Sequence, residues 1–243
     1  MRPEINVLEL ESVDSTNTYA KNNFDELPDG TLVVAEEQTA GRGRLERKWI
    51  SPAGKNIYAS LVMKNITNPF YATIVSSLAV LDLLGNTEPR IEFFIKWPND
   101  IYWKEKKICG MLIENDLMGR NISQSIAGIG ININQETFHS SAPNPVSLLQ
   151  ITGEEHDLFK ILKNIMLRIQ SYYSLLKKGD TTSIACQYEK SLFRREGMHR
   201  YKDANGEFLA RIVCVEPEGR LILEDEKLIK RGYMFKEVEY LLK

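Results

Sequence analysis

Three strand-like runs, Ile91–Lys96, Lys107–Glu114 and Ser123–Asn134, follow one another with no room for a crossover helix between them. Strands that follow one another this closely favour antiparallel neighbours. That favours a mixed or antiparallel sheet over a doubly wound parallel one. The earlier elements alternate loosely. Strand-like Ile5–Glu11 precedes a short helix through about Phe24, for which Asp14-Ser15-Thr16-Asn17 supplies N-cap chemistry. The β-branched run Thr31–Glu37 and the alternating run Asn56–Met63 then read as strands, and Asn68-Pro69 starts a helix reaching about Leu84. Asp157–Lys178 is the clearest helix, with Leu158, Ile161, Leu162, Ile165, Ile169, Tyr172 and Leu176 on one face. A shorter helix covers Thr182–Ser191. The expected class is α+β, a mixed or antiparallel sheet with flanking helices.

The texture changes near Ser191. Gly206-Glu207, Pro217-Glu218-Gly219 and Gly232 punctuate short alternating runs such as Arg211–Val215 and Arg220–Glu224, the pattern of a small all-β module of hairpins. The expected domains are therefore 1–191 and 192–243. A chain of 243 residues is long enough for both.

Composition narrows the function class. The net charge of -2 gives no global basic field for nucleic acid or anionic lipid. No apolar run approaches the roughly 18 residues of a membrane span, and the first residues carry no signal pattern. Cys109, Cys186 and Cys214 are widely spaced and odd in number, which fits a reduced, cytoplasmic protein. His139, His156 and His199 are scattered, so a structural zinc site has little support.

Two segments carry chemistry. Gly41-Arg42-Gly43-Arg44-Leu45-Glu46-Arg47-Lys48-Trp49 combines glycines, which admit positive φ and close backbone approach, with Arg42, Arg44, Arg47 and Lys48. Arginine forks match carboxylate and phosphate oxygens in pairs. Cations this close repel one another, so a polyanion would order the loop, and it is expected to be mobile when empty. A solvated basic loop is the bland alternative. Against it, Trp49 follows at once and Ser51-Pro52-Ala53-Gly54-Lys55-Asn56 turns into a strand, anchoring both ends. The second segment is Lys96-Trp97-Pro98-Asn99-Asp100-Ile101-Tyr102, closely followed by Lys107 and Gly110. Pro98 sets Trp97 extended and fixes the approach to Asn99 and Asp100. Such a tip can hold a ribose, a metal-bound phosphate or an attacking amine, although Pro-Asn-Asp is also ordinary turn chemistry. A lysine opening an apolar strand, with glycine three residues on, suggests close approach of a ligand. Together the segments suit a site that brings two anions together. Neither P-loop nor dinucleotide fingerprint is present: Glu46 stands where the first run would need its third glycine, and Ile133 where Gly128-Ile129-Gly130 would. Taken alone, that last pair reads as a packing feature of a strand.

These motifs, with Asp14-Ser15-Thr16-Asn17, Gln38-Thr39-Ala40 before the Gly/Arg run, Ser51-Pro52 after it and Gly128-Ile129-Gly130-Ile131-Asn132, resemble in order and spacing the biotin protein ligases. The resemblance spans nearly the whole chain. It implies a class II synthetase-like catalytic domain and a small SH3-like β-barrel at the C-terminal end. It implies a reaction in which biotin and Mg-ATP give biotinyl-5′-AMP and pyrophosphate, and a lysine amine of a biotin carboxyl carrier protein, such as that of acetyl-CoA carboxylase, then displaces AMP. By the resemblance Ser15, Thr16 and Gln38 contact the ureido ring of biotin, Gly41 and Arg42 cover it, and Gly110 leaves room for its rings. Arg44 and Lys107 meet the carboxylate and α-phosphate, and Arg47 reaches the ATP phosphates. Trp49 stacks on adenine, Asn132 contacts it, and Asn99 and Asp100 lie near the ribose-phosphate and magnesium, with Asp100 a candidate to orient the acceptor amine. Cys109 is read as packing, because no histidine partners it. No metal cluster of side chains is expected. Glu46 departs from the family, which often has glycine there; it should stiffen the loop and place an anion near the phosphates.

Some family members carry an N-terminal helix-turn-helix domain. With about a dozen residues before Asp14, no repressor role is expected here. The expected partners are the carrier domain and the two small molecules, with no nucleic acid or membrane, as a monomer or homodimer. The nearest rival is a lipoate or octanoate ligase or transferase of the same fold, whose Arg-Arg-x-Ser-Gly-Gly-Gly type motif is absent. A nucleic-acid-binding tail is a further rival, built on the strip Arg194-Arg195, His199, Arg200, Tyr201 and Lys202.

Overall fold

The computed structural model describes residues 6–43, 49, 51–118, 121–138 and 144–242. Within them a seven-stranded sheet has the order β1-β2-β3-β7-β6-β5-β4. Its strands are β1 (Val7–Val13), β2 (Leu32–Gln38), β3 (Ile57–Lys64), β4 (Phe94–Lys96), β5 (Asp100–Trp103), β6 (Lys106–Met118) and β7 (Asn121–Ile131). Only β1 and β2 pair parallel, joined across α1 (Thr16–Asn22); the remaining neighbours are antiparallel. The sheet is thus mixed, as the close spacing of the middle strands favours.

Strand alternation gives the sheet two buried faces. Leu32, Val34, Leu61, Met63, Ala127 and Ile129 point into the main core, beneath α2 (Phe70–Thr87), α4 (Leu158–Lys177) and α5 (Thr181–Lys190). Val33, Val62 and Ile126 point the other way, onto Ala20 of α1 and Phe24 just beyond it. Helix α2 runs three residues past the expected end at Leu84, to Thr87. Contrary to the expectation that no stretch approaches a membrane span, it is long and apolar enough by composition to cross one, but 67% of it is buried in the protein. Its apolar surface is covered by the sheet on one side and by α4 and α5 on the other. Asp157 caps α4 as its position suggests, accepting from Phe159 N and Lys160 N, worth about 1 kcal/mol.

Two elements escape the sequence reading. The segment after Pro98 is not a plain turn: Asp100–Trp103 forms β5, hairpinned to β4, with the Trp97–Pro98 peptide cis. The strand expected over Ile91–Lys96 shrinks to Phe94–Lys96. Helix α3 (Leu148–Thr152), opened by a Ser147/Gln150 capping box, is too short for periodicity to reveal.

After α5 the chain forms a five-stranded antiparallel sheet of order β11-β10-β9-β8-β12. Its strands are β8 (His199–Asp203), β9 (Gly206–Val215), β10 (Leu221–Asp225), β11 (Lys230–Tyr233) and β12 (Glu239–Tyr240). This sheet packs on the larger one. Trp97 Nε1 donates to Gly219 O at 3.0 Å, Asn68 Nδ2 to Pro217 O at 2.7 Å, and Phe193 N to Ile95 O at 2.8 Å. Part of the basic strip considered for nucleic acid is engaged in contacts within the protein. Arg194 bonds Glu105 and Leu241 O, Arg195 bonds Ile212 O and Val213 O, Arg200 pairs with Glu207, and Tyr201 is fully buried.

Candidate active site

Register assembles the floor of the site on the face that carries α1. Tyr58 of β3, Gly130 of β7 and Gly110 of β6 stand in one cross-strand row; Ser60, Gly128 and Leu112 stand in the next. The glycines leave this floor low, and side chains from elsewhere lie directly upon it. A Cβ on Gly128 would fall 2.3 Å from Asn17 Oδ1, and one on Gly130 would fall 2.8 Å from the indole of Trp49. A Cβ on Gly110 would meet Lys107 Cε at 2.7 Å and the Trp49 ring at 3.0 Å. The glycines of the Gly128–Gly130 run are therefore a packing feature, as read, and also the ground on which the site is built.

A polar chain crosses this floor. Thr16 N and Oγ1 donate to Gln38 Oε1 at 2.8 and 3.2 Å. Ser60 Oγ lies 2.8 Å from Thr16 Oγ1 and donates to Asn17 Oδ1 at 2.6 Å. Asn17 Nδ2 donates to Leu112 O and to Glu114 Oε2, and Glu114 pairs with Arg42 at 3.1 Å. Thr16, Asn17 and Ser60 are buried, where unpaired polar groups are costly, so the chain fixes every rotamer along it. Ser15 precedes α1 with extended backbone, yet its hydroxyl makes no cap bond; its N–H bonds Asp14 instead. Asn17, Ser60, Gly128 and Glu114 were not singled out as site residues. Glu114 had a signal, being the carboxylate that ends an apolar run; Ser60 had none without the register.

The Gly/Arg run begins on this floor. Gly41 O accepts from Trp49 N at 2.8 Å, closing the base of the loop. Gly41 does not adopt positive φ, contrary to expectation. What it needs is the absence of a Cβ, which would lie 2.7 Å from Trp49 O. Arg44, Glu46, Arg47 and Lys48, with the expected mobility of the loop, lie outside the described residues. Trp49 lays its indole on Gly110 and Gly130, and its buried Nε1 has no partner among the described residues.

The second segment comes in from the far side. Lys107 Nζ pairs with Asp100 Oδ1 at 2.7 Å, each side chain about a quarter exposed. The Lys107 stem passes beside Gly110 and so reaches the glycine floor from the Asp100 side. Asn99 is buried and donates to Met111 O, pinning the β4–β5 turn to β6. Asn132 is also buried, donating to Val146 O. The amide nitrogens of both asparagines are thus used internally. Cys109 is fully buried, and burial pushes its thiol up, which suits packing rather than nucleophilic attack. No group of three potential metal-ligating side chains occurs among the described residues.

Comparison with known proteins places the chain in a family. The model of the biotin/lipoate A/B protein ligase family covers residues 9–132. The bifunctional ligase/repressor BirA of Bacillus spizizenii is 33% identical over 225 residues, 90% of this chain and 68% of that protein. The biotin–[acetyl-CoA-carboxylase] ligase of Paracoccus denitrificans is 35% identical over 61% of this chain and 65% of its own length. The biotin protein ligase from Aquifex aeolicus, solved in complex with biotin and ATP, superposes with a TM-score of 0.81 at 28% identity, covering 97% of this chain and 99% of that one. The family model spans half of the chain and a relative at 33% identity spans nine-tenths of it, so this chain belongs to the biotin/lipoate A/B protein ligase family.

Proposed function

We propose that the protein is an ATP-dependent biotin ligase. The biotin carboxylate attacks the α-phosphate of ATP, the bond from that phosphorus to the bridging oxygen breaks, and pyrophosphate leaves. The acyl carbon of the resulting biotinyl-5′-AMP is then attacked by a lysine amine of a biotin carboxyl carrier domain. An amide C–N bond forms, the C–O bond to AMP breaks, and the amine gives up its proton. The observation that carries this reading is the meeting of three parts at one place: the Thr16–Gln38 polar pair, the glycine floor, and the Lys107–Asp100 ion pair at its edge.

In this reading Ser15, Thr16 and Gln38 take the ureido ring. A ring with N–H and C=O groups suits their donors and acceptors, whereas an alkyl or dithiolane tail would leave buried polar groups unpaired. Gly41, Arg42 and Gly110 line the same end. Arg44, Arg47 and Lys107 oppose the charge of carboxylate and phosphates, whose repulsion is the main electrostatic obstacle to the first step. Trp49 serves the nucleotide directly, while Asn99 and Asn132, buried and bonded to Met111 O and Val146 O, shape the walls of its site. Asp100 accepts from the incoming amine. Magnesium enters with ATP as substrate, since this ion keeps most of its ligands from phosphate and water and needs one or two carboxylates; Asp100 is the carboxylate beside Lys107. Residues 1–191 form the biotin- and ATP-binding domain and 192–243 the small SH3-like domain, in a cytoplasmic protein with Cys109, Cys186 and Cys214 all unpaired.

The test is the choice of acid. Purified protein with Mg-ATP should release pyrophosphate with biotin and not with lipoate or octanoate. Release with lipoate or octanoate alone would move the protein to the sister branch of the family.

A further inference from the structure

Lys96 is a cation that the reaction scheme above does not use. It ends β4 directly opposite Asp100, the first residue of β5. Directly opposed residues of an antiparallel pair project from the same face, with Cβ atoms about 5 Å apart. A four-carbon stem spans that distance. Yet the ammonium is not on Asp100. It lies 4.8 Å from the ring centroid of Tyr240 on β12 and 5.5 Å from that of Tyr102 on β5. Among the described residues no carboxylate is within ion-pair distance of it, whereas Lys107 holds Asp100 at 2.7 Å. The charges around it are Asp100 and Glu239 of one sign and Lys107 and Arg194 of the other. Burial, first, and then Lys107 and Arg194 depress its proton affinity, so the aromatic faces carry a charge that the surroundings resist.

One carboxylate therefore has two lysines within reach and holds one of them. If Lys107 donates to an anionic ligand, as the proposed function requires, Asp100 loses its partner while negative charge gathers beside it. Like charges at that distance repel, and a carboxylate pushed out of place could not meet the amine.

We propose that Lys96 is a positioning residue for the transfer step, a reserve counter-ion that takes over Asp100 when Lys107 turns to the ligand. The inference rests on the biotin ligase reading, and on Asp100 being the group that meets the acceptor amine. It also explains why the ammonium waits on aromatic faces. A cation–π contact is exchanged for a carboxylate more readily than a second ion pair would be, and it keeps Lys96 off Asp100 while Lys107 is there.

The test compares wild type with Lys96→Met, Lys96→Arg, Asp100→Asn and the Lys96→Met/Asp100→Asn double variant. Biotin-dependent pyrophosphate release and transfer of biotin to a carrier-domain lysine are measured separately, with the thermal midpoint recorded for each. Lys96→Met should lower the transfer kcat about 10- to 100-fold, leave KM for biotin within about twofold, and add no further loss in the Asp100→Asn background. Lys96→Arg should recover most of the rate. A transfer rate in Lys96→Met equal to wild type, or a loss that multiplies with that of Asp100→Asn, would overturn the inference. If wild type itself releases no pyrophosphate with biotin, it is the function reading that fails, so the two failures are distinguishable.

Discussion

At the residue scale the site is defined as much by missing side chains as by present ones. Gly128 is the sharpest case, because the Asn17 amide occupies the space a methyl would take. Gly128→Ala should displace Asn17, break its bonds to Ser60 and Glu114, and cost about 1–3 kcal/mol in a denaturant melt. KM for biotin should rise about tenfold or more, because Thr16 shares the same hydrogen-bonded chain. Glu114→Gln is the softer probe. Its pair with Arg42 is partly exposed, so stability should change by less than about 1 kcal/mol. Arg42 nevertheless loses its anchor, and KM for biotin should rise in steady-state kinetics while the melt barely moves. Site chemistry was legible where residue type alone carries it, as in the lysine and aspartate flanking the β5 hairpin. The pairing of Gly110 with Gly130 and of Leu112 with Gly128 was not, because each is a matter of register between β6 and β7.

At the scale of elements the helices behave as braces for the sheet. The amphipathic face of Asp157–Lys178 was readable from spacing, and so was its cap. Its other end is held by a contact that no local pattern announces. Asp29, before β2, pairs with Lys177 at 2.8 Å, accepts from Tyr173 of α4 and receives Lys64 N from β3. Burial works against its charge, but the bonds from Lys177, Tyr173 and Lys64 N outweigh it and hold the carboxyl below its ordinary value. A carboxylate whose folded value lies below its unfolded value of about 3.9 contributes stability that is complete above that pH. The contribution disappears as pH falls through the folded value. Asp29→Asn should therefore cost about 1–2 kcal/mol at pH 7, discounted for partial exposure. In melts at successively lower pH below the unfolded value, the gap between variant and wild type should shrink. Strand β5 and helix α3 went unread for opposite reasons. The first sits inside turn chemistry dominated by Pro98, and the second is a single capped turn.

At the scale of the whole molecule, the small sheet is fastened beside the reacting residues. Trp97 and Asn68 bond the Pro217–Gly219 turn, and Phe70 packs on Gly219 itself. Gly219 has φ +89, and a Cβ there would lie 2.5 Å from the Phe70 ring. Gly219→Ala meets both penalties, backbone and steric, and should cost about 2 kcal/mol or more. The thermal midpoint should fall by roughly 4–8 °C. The change of texture at Ser191 was plain in the sequence, but the docking was not. It depends on Trp97 and Tyr240 reaching across from separate sheets, and Tyr240 brings the second sheet against Lys96 beside Asp100.

The central claim is that biotin is adenylated where Lys107 meets the glycine floor. Biotin-dependent exchange of labelled pyrophosphate into ATP tests it most directly, in wild type and in Lys107→Ala. The account predicts exchange in wild type that requires biotin, and a fall of about 100-fold or more in the variant, since the charge removed opposes two approaching anions. Exchange in Lys107→Ala at the wild-type rate would contradict it.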